Sequence, residues 1–338
     1  MTNSLFIFNF KLKMRKFIVR ISLFFFPILI LHLFMFLFYK PDKGDLLRMG
    51  YLIDLYPKYR TIFNNEFNKP INFTKITDKS SKKQFKFFTI GDSFSEQKNY
   101  GYKNYIAGSD ISILHYDRTL HENQIETLYN LLNGNFFEKF TFEYLILEII
   151  ERDVIELIDI IDTTKILTYE DVKVLAQQEK SLEDYSYKFP SNRLIKFYYS
   201  TIQYYLNDNY LFHNKVYKTK TNEALFSTEK KELLFYHGDV KSTKKNNKLT
   251  NVLKINNLLN DLNNKLSKKG IKLIVLIAPN KYTIYYPYIT HQENFPKPEF
   301  FQLFRGMKKT YTSIDALSIF SNNITRKKDL YFYDDSHW

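Results

Sequence analysis

Nineteen residues from Ile21 to Tyr39, "ISLFFFPILILHLFMFLFY", carry no charge. A helix of that length rises about 28 Å, close to the hydrocarbon thickness of a bilayer. Nothing along it is polar enough to form a solvent face, so it reads as a transmembrane anchor rather than a buried core helix. Pro27 and His32 are tolerated inside such a helix. Lys11, Lys13, Arg15, Lys16 and Arg20 precede it, whereas the exit "KPDKGD" at 40–45 carries no net charge. The positive-inside bias predicts a cytoplasmic basic segment at 1–20, an anchor at 21–39 and an extracytoplasmic chain from about residue 40. A cleaved signal peptide has a shorter apolar region and a small-residue cleavage site. Here large aromatics run up to Lys40. The expected location is the inner or plasma membrane, single-pass, with the folded part periplasmic or extracellular.

The chain has 338 residues and is 44% hydrophobic, enough for one large domain with a sizeable core. Its formal charge is +13. The excess lysine is spread along the chain, and "SSKKQFK" at 80–86 and "KSTKKNNK" at 241–248 read as solvated loops, so no nucleic-acid partner is expected. There is no cysteine. Disulfides, thiolate metal sites and thiol nucleophiles are excluded.

After a mixed stretch at 40–84, read as a membrane-proximal stalk with short helices, strands and helices alternate. "FKFFTI" (85–90), "YLILEII" (144–150), "IKLIVLIAP" (271–279) and "DLYFYDD" (329–335) have strand character. "TLHENQIETLYNLLNG" (119–134) and "TNVLKINNLLNDLNNKLSKKG" (250–270) have helical spacing. In the second, Val252, Ile255, Leu258, Leu259, Leu262 and Leu266 share a face and Gly270 ends the helix. The alternation predicts an α/β domain over 85–338, a parallel sheet flanked by helices, with a helical insertion at about 154–235.

Sites in such sheets form at the carboxyl ends of strands. Four polar groups fall there: Asp92-Ser93, Glu151-Arg152, Asn280-Lys281, and Asp334-Asp335 with His337. "GDSFS" departs from the G-x-S-x-G elbow, because Ser95 takes the fifth place. The ordinary alternative is that Gly91 permits a turn and Asp92 or Ser93 caps a helix. At the other end, "YFYDDSHW" offers a histidine with an acid two or three residues before it. A histidine that takes a proton from serine needs such an acid to fix its tautomer and stabilise its charge. Asp335 and Asp334 both qualify.

"GDSFS" with a terminal D-x-H-W resembles the SGNH-hydrolase superfamily. More narrowly it resembles the membrane-anchored branch related to the alginate O-acetyltransferase proteins, the SGNH hydrolase-like or DHHW proteins. "YLILEIIERD" (144–153), "LLFYHGDV" (233–240) and "IAPNKYTIYYPYI" (277–289) are similar to strand-end signals of that branch, and the resemblance covers about 85–338. It implies a flavodoxin-like sheet and a triad of Ser93 as nucleophile, His337 as base and Asp335 as orienter. The family's D-x-H spacing selects Asp335, and the hydrolase-style D-x-x-H selects Asp334. The alginate proteins carry their D-x-H before the serine; here it follows. The G-x-N-D block that lends an oxyanion-hole Asn is absent. Arg152 is the candidate replacement donor, its alternative being a structural ion pair. Gly101 and Gly108 are the candidate glycines of the second block, and Lys281 either meets an anionic group or is solvated. The family continues past this loop with a helix; either the sequence is truncated at Trp338, or His337 is held mainly by Trp338 and Asp335.

The implied function is an extracytoplasmic serine O-acyltransferase, moving an acetyl group to a cell-surface or secreted polysaccharide through an acyl-enzyme. A membrane-bound O-acyltransferase is the implied acyl donor, and no metal or cofactor is expected. The alternatives are an SGNH-type carbohydrate esterase and a non-catalytic polysaccharide-binding or assembly protein.

Overall fold

Two long apolar runs build the centre of the sheet. The computed structural model describes residues 2–38, 44–49, 68–78, 81–182, 192–206, 215–324 and 326–338. The strands are β1 (Thr74–Lys75), β2 (Phe87–Ile90), β3 (Ile113–Tyr116), β4 (Tyr144–Ile150), β5 (Val216–Lys220), β6 (Glu232–Tyr236), β7 (Lys272–Ala278) and β8 (Thr312–Ile314). Six form one sheet in the order β1-β3-β2-β4-β7-β8, every neighbouring pair parallel. The chain is therefore an α/β protein with a six-stranded parallel sheet flanked by helices. β4 and β7 pair along their whole length, from Tyr144↔Lys272 to Ile150↔Ala278. Both are covered on two faces, which is why each reads as a near-continuous apolar run rather than an alternation.

The helix Leu249–Ser267 packs on this sheet. Val252, Ile255, Leu259, Leu262 and Leu266 are completely buried, while Leu258 sits at the margin of the same core. Gly270 follows at φ +75°, a left-handed conformation that glycine adopts without a Cβ penalty. The apolar spacing and the stop signal thus both act where the sequence places them.

Several expectations need correction. "DLYFYDD" is not a strand; the last strand of the sheet is β8. Tyr331, Phe332 and Tyr333 are all buried, but among the described residues no strand pairs with this segment, so its apolar run reflects burial of rings and not a ladder. β1 and β3 lie beyond β2, which places "FKFFTI" inside the sheet. The insertion at 154–235 is only partly helical. It holds the helices Val154–Asp159, Tyr169–Leu182 and Asn192–Leu206, then turns into an antiparallel hairpin of β5 and β6, Val216↔Tyr236 to Lys220↔Glu232. The "KSTKKNNK" lysines lie on the helix His237–Asn246 and its end rather than in a loop.

The stalk expected at 40–84 belongs, where described, to the domain. Leu46 and Leu47 are buried in the second core, with Phe226, Tyr285, Tyr331 and Tyr333, and β1 extends the sheet. Residues 50–67 lie outside the described residues. Before this, one helix runs Thr2–Phe38, so the basic segment at 1–20 is continuous with the apolar run, and Pro27 lies inside it. Its Lys13–Phe34 portion is long and apolar enough to cross a membrane.

Candidate active site

The turn after β2 is shaped by two close approaches. A Cβ on Gly91 would lie 2.3 Å from Ser95 Oγ and 2.6 Å from Glu148 Oε2, so this position admits glycine alone. Asp92 then ties the turn down. Its Oδ1 accepts from the Phe94 amide at 2.9 Å, and its Oδ2 accepts from the Ile150 amide at 2.6 Å, at the end of β4. Neither Asp92 nor Ser93 caps a helix, because the chain continues in turns until the helix Tyr102–Ala107. Ser93 is left half-buried at the carboxyl edge of the sheet.

The C-terminal tail arrives at the same edge. His337 Nε2 lies 2.8 Å from Ser93 Oγ, and His337 Nδ1 lies 2.5 Å from Asp335 Oδ1. An ionised Asp335 can only accept, so the imidazole proton sits on Nδ1 and Nε2 is free to accept from the serine hydroxyl. Asp335 Oδ1 also accepts from the His337 amide at 2.9 Å. Burial alone would push the Asp335 carboxyl up, but the bonds and charge of His337 outweigh it and hold the group low. Burial likewise opposes a charged His337, yet Asp335 and then Asp45 overcome it and raise the imidazole above its ordinary value. The Ser93–His337–Asp335 line is therefore brought together. Asp334, the alternative acid, is buried and its carbonyl accepts from the Leu46 amide, while the imidazole is bonded to Asp335.

The tail is held by contacts that strand pairing would otherwise supply. Lys281 is fully buried, and its ammonium donates to the carbonyls of Phe332, Tyr333 and Asp335 at 2.7, 2.6 and 3.1 Å. Burial pushes this amine down to about 7, against the pull of Asp334, Asp335 and Asp45. Lys281 thus neither meets an anionic ligand nor lies in solvent; it organises the tail backbone. Trp338 packs on Phe94, Phe320 and Tyr331, with ring centres 4.4, 5.0 and 5.7 Å away, and its main-chain oxygen accepts from Gln97 Nε2 at 2.6 Å. Phe94 also lies against His337, at 4.6 Å.

The remaining candidates sit as follows. Arg152 Nη1 pairs with Asp239 Oδ1 at 3.2 Å, and its guanidinium lies over the Tyr236 ring. The ordinary ion-pair alternative is therefore the observed one, although the Arg152 charge still opposes the rise at His337. Gly101 begins the helix Tyr102–Ala107, and a Cβ there would meet the Gln97 carbonyl at 2.1 Å. Gly108 ends the same helix with its amide bonded to Asn104 at 2.9 Å, so that amide is not an oxyanion donor. Asp45, Gln97 and Glu148 were not singled out by sequence. Asp45 and Asp335 are 290 positions apart, and no local pattern joins them.

Glu148 lies beneath the turn, completely buried. Its Oε2 accepts from the Asp92 amide and from Ser95 Oγ, each at 3.0 Å. Burial first, and the Asp92 charge second, push its carboxyl well above the ordinary range. The folded state therefore keeps the group neutral while the unfolded chain ionises it. Its contribution to stability is complete below the unfolded pKa and is lost as pH rises toward the folded one. Glu148→Gln cannot ionise. Its stability relative to the wild type is expected to grow with pH by about 1.4 kcal/mol per unit within that window. Denaturant melts from pH 5 to pH 8 check this; parallel curves would contradict it.

A cleft of about 300 Å³, lined by Asp92, Arg118, His121, Glu122, Asp153 and Glu156 among others, opens beside the turn at the ends of β2, β3 and β4. It is at the small end of ligand-pocket volumes. Asp45, Asp335 and His337 bring ligand atoms within 4.8 Å of one another, a spacing a cation can bridge. In this arrangement His337 Nδ1 is engaged by Asp335 and Nε2 by Ser93.

Fold and site together define a parallel α/β protein whose sheet edge carries a hydrogen-bonded serine, histidine and aspartate. Set against known proteins, the chain matches no family model, no curated protein and no solved structure.

Proposed function

We propose that the protein is a membrane-anchored serine O-acyltransferase of the SGNH type, acting outside the cytoplasm on a polysaccharide. The observation that carries this reading is the Ser93–His337–Asp335 line, with contacts of 2.8 and 2.5 Å at a strand edge. Ser93 Oγ attacks the donor's acyl carbon while its proton passes to His337 Nε2. The bond from the acyl carbon to the donor breaks, the leaving group takes that proton, and an ester remains on Ser93. A sugar hydroxyl then attacks the ester and gives its proton to His337. Ser93 regains that proton as its ester bond breaks. Asp335 stabilises the imidazolium formed in both halves. The amide of Ser93 is the first candidate for holding the oxyanion. A membrane-bound O-acyltransferase is the proposed donor, and the polar cleft beside Asp92 the proposed acceptor site.

Fluorophosphonate labelling of membranes tests the reaction class. Ser93 is expected to label, and Ser93→Ala to abolish labelling. The base acts only when neutral, so the labelling rate rises with pH. Its midpoint is expected above 6.5, because His337 is raised from that value. Absence of labelling in folded protein would contradict the reading. Acylation of the polymer that survives Ser93→Ala would leave a binding or assembly role. Release of acid with no transfer to sugar would make the protein an esterase of the same chemistry.

A further inference from the structure

The tail that carries His337 is gripped by a segment from the other end of the chain. Asp45 follows Phe38, the last residue of the N-terminal helix, by seven positions. Its Oδ1 accepts from the Ser336 amide at 2.6 Å, and its Oδ2 accepts from Ser336 Oγ at 2.5 Å. Its own amide donates to Asp335 Oδ2 at 3.2 Å, and the next amide, Leu46, donates to the Asp334 carbonyl at 3.1 Å. Asp45 Oδ2 lies 3.7 Å from His337 Nδ1. These contacts link both sides of one short segment to three consecutive residues of the tail.

We propose that Asp45 is a positioning residue for the Ser93 reaction, holding the Asp335–Ser336–His337 turn against the serine and placing a second negative charge behind the imidazole. The site is then complete only when the segment following the N-terminal helix is docked. This rests on the acyl-enzyme reading above. Two physical effects separate. The bonds to Ser336 restrain the turn, since a buried amide and hydroxyl are costly to leave without an acceptor. The charge raises the basicity of His337 and stabilises its charged form in the transition state. The groups facing the imidazole are Asp335 and Asp45, with Arg152 opposing them. Phe94 covers one side of the ring, and Lys281 lies behind the tail on its carbonyls.

The test uses the full chain in detergent micelles. Fluorophosphonate capture is followed against pH for wild type, Asp45→Asn, Asp45→Ala and Ser336→Ala, and the His337 pKa is read from ring NMR signals. Asp45→Asn keeps the shape and removes the charge. It is expected to lower the His337 pKa by about one unit and to move the acid limb of the rate profile down equally. Asp45→Ala loosens the turn as well, and its plateau rate is expected to fall about ten- to a hundredfold. Ser336→Ala is expected to slow capture while leaving the His337 pKa in place. Wild-type labelling combined with an unchanged pKa and unchanged rates in Asp45→Asn overturns the proposal alone. A folded wild type that never labels overturns the acyl-enzyme reading, and the proposal with it. Micromolar zinc that protects Ser93 in wild type but not in Asp45→Asn assigns the three groups to a cation and overturns the proposal.

Discussion

Replacing His337 with alanine is expected to slow fluorophosphonate capture by Ser93 about a thousandfold or more. The imidazole is the group placed 2.8 Å from the hydroxyl to take its proton, and its other nitrogen is oriented by Asp335. Alanine leaves the hydroxyl at its ordinary, weakly nucleophilic state. Folding is expected to survive, because the ring is half-buried and packs mainly on Phe94. Capture rates on the two purified proteins, alongside their melting curves, measure the effect. A His337→Ala protein that melts normally and labels at the wild-type rate would remove this histidine from the mechanism.

Lys281→Met is expected to cost nearly as much reactivity by a different route. The ammonium satisfies three tail carbonyls in a site where no strand does so. Methionine has similar length and donates nothing. The Phe332 carbonyl keeps the Asp335 amide at 3.4 Å, but the Tyr333 and Asp335 carbonyls lose the ammonium, at a cost on the order of 2–6 kcal/mol together. The tail's other ties are the Asp45 and Gln97 bonds and ring packing rather than a strand ladder, so local loosening is the expected response rather than loss of the sheet. Hydrogen exchange should become fast at the amides of residues 331–337 while β4 and β7 stay protected. The capture rate should fall at least about a hundredfold, because His337 leaves with the tail. Protection of the tail amides equal to the wild type would contradict the role given to Lys281.

The centre of the sheet was legible because its strands are long and buried on both faces. "YLILEII" becomes β4 residue for residue, and "IKLIVLIAP" contains β7. The helix Leu249–Ser267 announced itself through five fully buried positions at helical spacing. The outer strands carry no such signal. β1 has two residues and β8 three, and β3 interrupts its apolar pattern with the buried His115, which is bonded to Thr89 and Glu96. "VYKTK" alternates as β5 does, but the Tyr- and Lys-rich helices before it masked the change of period. At the site, serine, histidine and acid were each visible as polar groups at apolar ends. Their supports were not. Lys281 reads like any lysine after a strand until its three carbonyls are seen, and Asp45 reads like part of a neutral exit from a membrane helix. Both act across long stretches of chain, where spacing holds no information.

That pairing between Asp45 and Leu46 and the last residues of the tail also fixes a leash. Seven peptide steps separate Phe38 from Asp45, and a fully extended chain covers about 25 Å in that count. If Lys13–Phe34, which is long and apolar enough to cross a membrane, lies in lipid, the leash holds Ser93 close to the headgroups, whichever side of the bilayer it faces. A hydrophobic carrier lying in that bilayer can present its cargo without crossing bulk water. A long polymer must instead be drawn down to the surface to be modified.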